Sequence, residues 1–240
     1  MPDLVAVRGA EPWRRRLYLP SYRIADAARY VNESPQAIAN WHYRETLSGV
    51  TLPSKEHGKP LSYLQLIEVA VVSRLRQLGL SLPNIRKARQ YLAQNFNSEY
   101  PLAEYRFKTE GFHLLLDLEQ FEHDDEMRLI VADKGGQLAW EQIVEDRLME
   151  FDYEYDLALK WHLAGRKSLV VIDPRVAFGA PTVTGIPTWI LKGRHHAGET
   201  IDDIKDDFHL DEVAIMDGLS IIATSSRWKS SLMSSIVSPA

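Results

Sequence analysis

The stretch Tyr22-Arg23-Ile24-Ala25-Asp26-Ala27-Ala28-Arg29-Tyr30-Val31-Asn32-Glu33-Ser34-Pro35-Gln36-Ala37-Ile38-Ala39-Asn40-Trp41-His42-Tyr43-Arg44 decides how the front of the chain is read. Ile24, Ala27, Ala28 and Val31 fall on one helical face, and the small alanines let a second helix come close. Asn32 suits the left-handed conformation of a tight turn. Ser34 then reads as an N-cap and Pro35 as the first helical residue. The second helix is expected over Pro35–Arg44. Ala37, Ile38 and Trp41 face inward and Gln36, Asn40, Tyr43 and Arg44 outward. A short helix, a brief turn and a second short helix is the helix-turn-helix pattern.

Downstream, residues 48–60 carry Gly49, Pro53, Gly58 and Pro60 around Val50-Thr51-Leu52, which predicts a small β-hairpin wing with Lys55, His57 and Lys59 near its tip. Ser62-Tyr63-Leu64-Gln65 is a capping box opening a long helix that Gly79 ends. Ser81 and Pro83 start another helix to about Gln94. Upstream, Pro2, Gly9 and Pro12 break any element, so residues 1–17 read as an arm. From 100 the period changes. Strands are expected at Tyr105–Phe107, Phe112–Leu118, Met127–Ala132 and Gln137–Trp140, a helix over Glu141–Glu150, then alternation over Phe151–Leu157 and a buried strand at Leu169–Ile172. Three short helices follow, Pro187–Ala197, Ile201–Phe208 and Asp211–Ala223. The expected class is α+β. Its domains are an arm (1–17), a winged helix-turn-helix (18–98), a mixed central region suited to dimerisation (99–173), a small three-helix bundle (174–225) and a tail (226–240).

Charge divides along the same line. Through residue 110 there are 16 Lys and Arg against 10 Asp and Glu; beyond it there are 12 against 23. The basic front suits phosphate contacts, and the acidic rear suits a protein partner. There is no cysteine, which excludes disulfides and thiolate chemistry. No apolar run reaches the roughly 20 residues of a membrane helix, and Arg14-Arg15-Arg16 interrupts any signal-peptide core. A cytoplasmic protein without a membrane partner is expected. No phosphate-binding loop or nucleophile elbow is present, so neither an enzyme nor a cofactor is expected. His195 and His196 would point about 100° apart on a helix, so no metal site is expected.

Two resemblances extend this reading. Residues Tyr22–Asn95 resemble the MerR-type winged helix-turn-helix through Ile24–Ala28, Ser34–Ile38 and the junction Leu75-Arg76-Gln77-Leu78-Gly79-Leu80-Ser81-Leu82-Pro83-Asn84-Ile85. Glu33 and Trp41-His42-Tyr43 depart from that family's pattern. Residues Asp173–Leu219 resemble a small domain found in VapB-type antitoxins. The carrying residues are Gly179-Ala180-Pro181-Thr182-Val183-Thr184-Gly185-Ile186-Pro187 and Gly198-Glu199-Thr200-Ile201-Asp202-Asp203-Ile204. Here the loop lacks the arginine that family commonly has. Together they resemble the antitoxin of a VapBC module, which implies binding to a PIN-domain ribonuclease toxin and repression of its own operon.

On this reading the DNA-binding residues are Arg23, Arg29, Ser34, Gln36, Asn40, Tyr43, Arg44, Lys55 and Lys59. Gln36, Asn40 and Arg44 lie at helical spacing where amides and guanidinium can read base edges, and the basic side chains hold phosphates. A homodimer is expected, because one short helix reads too few base pairs. The toxin-binding candidates are Arg175, Arg194, Arg227 and Trp228, because an arginine fork fits a carboxylate-lined site. The alternative is a one-component regulator that senses a small ligand through its rear half.

Overall fold

The computed structural model describes residues 11–46, 49–53, 55–105, 107 and 148–220. The fold is mixed α+β and divides into two compact units, residues 1–161 and 162–240.

In the first unit α1 (Pro12–Arg16) leads into α2 (Ile24–Val31) and α3 (Pro35–Tyr43). Ala27, Ala28 and Val31 are buried on the inner face of α2. Asn32 ends it in the left-handed conformation (φ 57°, ψ 45°), and Ser34 caps α3 by accepting from the Ala37 N–H at 3.0 Å. Behind them runs α4 (Tyr63–Gln77), opened by the expected capping box between Ser62 and Gln65 and buried along most of its length. Then α5 (Leu82–Asn95) starts at the Ser81 cap and buries Ile85, Ala88 and Leu92. Two ion pairs lock this layer. The fully buried Glu68 carboxylate takes both prongs of Arg89 at 3.1 Å and the Leu102 N–H at 3.3 Å. Burial pushes the Glu68 pKa up, against the pull of Arg89. Arg74 grips Glu150 through two bonds, at 2.6 and 3.0 Å.

The unit closes with a hairpin, β1 (Phe151–Glu154) and β2 (Leu157–His162), whose last residue begins the second unit. Tyr155 and Asp156 both take positive φ, the two-residue turn that matches strand twist. Trp161 stacks on Phe151 and meets Tyr30 of α2 edge-on. Arg14 of α1 lies over the Trp13 and Tyr155 rings at 4.9 and 4.8 Å, and Leu17 is buried, so residues 12–17 pack onto the unit.

In the second unit β3 (Val170–Ile172), β4 (Pro181–Val183) and β5 (Ile186–Pro187) form an antiparallel meander, and Thr184-Gly185 makes its second turn. Three helices follow, α6 (Thr188–His196), α7 (Ile201–Phe208) and α8 (Glu212–Ser220). A Cβ on Gly218 would sit 2.9 Å from Leu191 and 3.1 Å from Val183, so α8 crosses α6 and the sheet closely there.

Several expectations differ. The wing is not a strand pair among the described residues. The described residues of 46–59 hold one isolated bridge, Thr46 to Gly49, and a turn at 56–59. Pro53 and Pro60 lack N–H donors, and the backbone at Leu52-Pro53 serves α3 instead: Leu52 N–H donates to the Trp41 carbonyl at 2.9 Å, and the Pro53 carbonyl accepts from His42 at 2.7 Å. Tyr105 and Phe107 are helical rather than extended. The alternation over Phe151–Leu157 is a hairpin with its turn at Tyr155-Asp156 rather than one strand. The boundary expected at 173/174 would part β3 from β4, which are paired. The strands expected at 112–140, nearly all of the 141–150 helix and the 226–240 tail lie outside the described residues.

Candidate nucleic-acid interface

Helix α3 is fixed from below and open above. Ile38, Trp41 and His42 are buried, while Ser34, Gln36, Asn40 and Arg44 are exposed. Gln36 Nε2 donates to Asn40 Oδ1 at 3.0 Å, one turn apart. That bond joins the two amides and leaves Gln36 Oε1 as an acceptor and Asn40 Nδ2 as a donor, the two functions an adenine edge requires. Arg44 is the C-cap, with its N–H on the Asn40 carbonyl at 2.9 Å.

His42 sets the height of the helix. Its ring is inaccessible to solvent, with Nδ1 2.7 Å from the Pro53 carbonyl. Burial lowers its pKa to about 4; the Pro53 bond opposes this, and the charges of Lys55 and Arg89 add to it. The ring is therefore neutral near pH 7 and donates through Nδ1, tying the 49–53 segment to α3.

The segment beyond Pro53 returns to the end of α3. Tyr43 stacks on His57 with centroids 4.0 Å apart, and Lys55 Nζ lies 5.8 Å from the Tyr43 ring centre. Lys55 also donates to the Lys59 carbonyl. Lys59 pairs with Glu56 at 2.5 Å, and Arg29 pairs with Asp26. Arg23 is exposed at the N-cap of α2. The structure thus brings Gln36, Asn40, Tyr43, Arg44, Lys55 and Lys59 to α3 and the loop after it. Arg29 and Lys59 already hold acid partners, but exposed pairs of this kind are worth only about 0–1 kcal/mol, so a phosphate can displace the acid. Sequence reasoning missed His42, whose only signal was a histidine beside the inward Trp41.

The candidates in the second unit are engaged within the chain. Arg175 holds Asp173 through bonds of 2.7, 2.9 and 3.2 Å. Arg194 binds Glu199 and Asp207 and lies 5.1 Å from the Phe208 ring centre. Arg227 and Trp228 lie outside the described residues. Sequence reasoning also missed the exposed apolar side chains of this unit, Phe178, Trp189, Val213 and Met216, which are 51–78% exposed. Trp189 stands one residue from the buried Thr188, so helical spacing alone could have placed it outward.

Residues 170–220, from β3 to the end of α8, match the family model DUF433, described as a protein of unknown function. No curated protein matches the chain. The fold is similar to the X-ray crystal structure of Rv2018 from Mycobacterium tuberculosis, with a TM-score of 0.64 and 22% identity over 85% of this chain and 99% of that one. At that identity the likeness is one of fold. Among the described residues, no helix is long and apolar enough to cross a membrane.

Proposed function

We propose that this protein is the DNA-binding antitoxin of a toxin–antitoxin pair. Its first unit represses the operon, and its second neutralises a ribonuclease toxin. The observation that carries the DNA half is the exposed Gln36–Asn40 amide pair on a capped helix held by a buried core. A rigid helix presenting joined amides, with Arg44 at its end and Lys55 and Lys59 beside it, has the chemistry of a major-groove reader. The toxin half is supported by the resemblance of residues 173–219 to the domain of VapB-type antitoxins. Two copies on a two-fold operator supply the base pairs that one short helix cannot.

The test is titration of the purified protein against the DNA upstream of its own gene and against unrelated duplex. Preference for the upstream DNA, lost in an Asn40→Ala/Arg44→Ala double variant that keeps its melting temperature, is the expected result. Equal affinity of parent and double variant for the upstream DNA refutes the assignment.

A further inference from the structure

A ring pair ties the turn after α3 to the reading face of that helix. Gln36, Asn40 and Tyr43 fall within about 60° of one another around α3, because residues three, four and seven apart share a helix face. Tyr43 thus stands on the same face as the two amides, one turn beyond Asn40. The His57 ring stacks on it with centroids 4.0 Å apart and planes inclined by 24°. Backbone contacts hold the same turn in place. The Tyr43 hydroxyl donates to the Glu56 carbonyl at 3.4 Å, Lys55 donates to the Lys59 carbonyl, and His42 Nδ1 lies 2.7 Å from the Pro53 carbonyl at its root.

Stacking uses the face of the imidazole and leaves its nitrogen-bearing edge outside the contact, on a residue that is exposed. A phenyl ring also stacks on tyrosine. What imidazole adds is an N–H donor and a charge that changes between about pH 5 and 8. Around it stand Tyr43 from α3 and Lys55, Glu56 and Lys59 from its own turn. With the ring neutral, residues 55–59 carry two cations against one acid; with it charged, three against one. Such a turn attracts an anion, and more strongly when the ring is charged.

We propose that His57 is a DNA-backbone contact whose protonated ring, together with Lys55, holds a phosphate beside the bases read by Gln36 and Asn40. This rests on the DNA-reading half of the function above. A duplex lying on Gln36 and Asn40 brings its backbone to the end of that helix face, where Tyr43 carries the imidazole. A phosphate held there favours the charged ring, so by linkage operator binding takes up a proton and tightens as pH falls. His57 thereby makes the affinity for the operator depend on pH through one side chain.

The experiment titrates the full-length protein and its His57→Phe and His57→Gln variants against the DNA upstream of the gene. Salt series are run at about pH 8 and about pH 5.5, which bracket the imidazole range, with melting temperatures read at both. The Phe variant keeps a ring to stack on Tyr43 and loses the charge; the Gln variant serves if the Phe variant does not fold. For the parent, the slope of log affinity against log salt should steepen by about 1 per bound protomer at the lower pH. Both variants should keep one slope. Any pH effect of His42 is common to parent and variants and cancels between them. A variant whose slope steepens as the parent's does overturns the proposal, because the proton then sits on another group. A parent slope that is the same at both pH values also overturns it and leaves the DNA reading standing. A parent without preference for the upstream DNA at either pH overturns both.

Discussion

Asn32 and Phe178 hold nearly the same left-handed backbone, φ 57° and 56°, in two regions that use it differently. At Asn32 the conformation serves the fold. It ends α2, lets the Glu33 N–H reach the Ala28 carbonyl at 2.9 Å, and turns the chain so that α3 packs against α2. Asparagine adopts it at little cost, so residue and torsion agree. At Phe178 they disagree, and the side chain so placed points into solvent. Where a residue suits its torsion, local preference explains it; where it does not, the surrounding contacts must hold it there.

The comparison can be broken most severely by removing the frame behind Asn32. Arg89→Leu strands the buried Glu68 carboxylate and should cost about 3–5 kcal/mol. Hydrogen exchange should show protection lost in α4 and α5 and kept in α6–α8; equal loss in both regions would contradict two separately packed units.

The next effect is pH dependence confined to the front region. The His42 pKa in the folded protein, about 4, lies below the ordinary 6.5. Its contribution is thus fully present above pH 6.5 and is lost as pH falls through 4. The drop amounts to roughly 3 kcal/mol. Urea midpoints between pH 7.5 and 4 should fall for the parent and stay flatter for His42→Gln.

Smaller again are the contacts of α3. Asn40→Ala and Arg44→Ala should each weaken operator binding by about 1–3 kcal/mol, while Lys55→Ala should weaken all duplexes alike and reduce the salt slope. Filter binding across a salt series separates the two classes.

The smallest effect sharpens the comparison directly. Phe178→Gly should raise stability by about 1 kcal/mol, as released strain exceeds the added chain entropy, whereas Asn32→Gly should change it by only a few tenths. Paired melting curves decide; equal shifts at both sites would erase the distinction.

What was legible in the sequence follows from how local each signal is. The caps Ser34, Ser62, Ser81 and Thr200 act within three residues of themselves, and all four start helices where expected. The buried faces of α2, α4 and α5 follow from helical spacing. The turns at Tyr155-Asp156 and Thr184-Gly185 were hidden, the first because neither residue is glycine or asparagine. The wing failed because its backbone donors and acceptors go to α3, a choice made by tertiary contacts at Trp41 and His42. At the site, helical spacing put Gln36 and Asn40 outward. The left-handed Phe178 was not announced by its residue type, because a bulky aromatic rarely takes that torsion.

The Trp13–Arg14–Tyr155 sandwich has a consequence for synthesis. It joins the first helix to the last hairpin of the same unit, and the Arg74–Glu150 pair spans 76 positions in the same manner. Contacts so distant along the chain form late and slow the folding of the segment they close. While the chain emerges from the ribosome, α2 and α3 can form as helices, yet the layer beneath them stays open until β2 has followed. The second unit closes between neighbours: β3 pairs with β4, β4 with β5, and α8 returns to α6. The part of the chain made last therefore folds by short steps, and the part made first waits for residues far behind it.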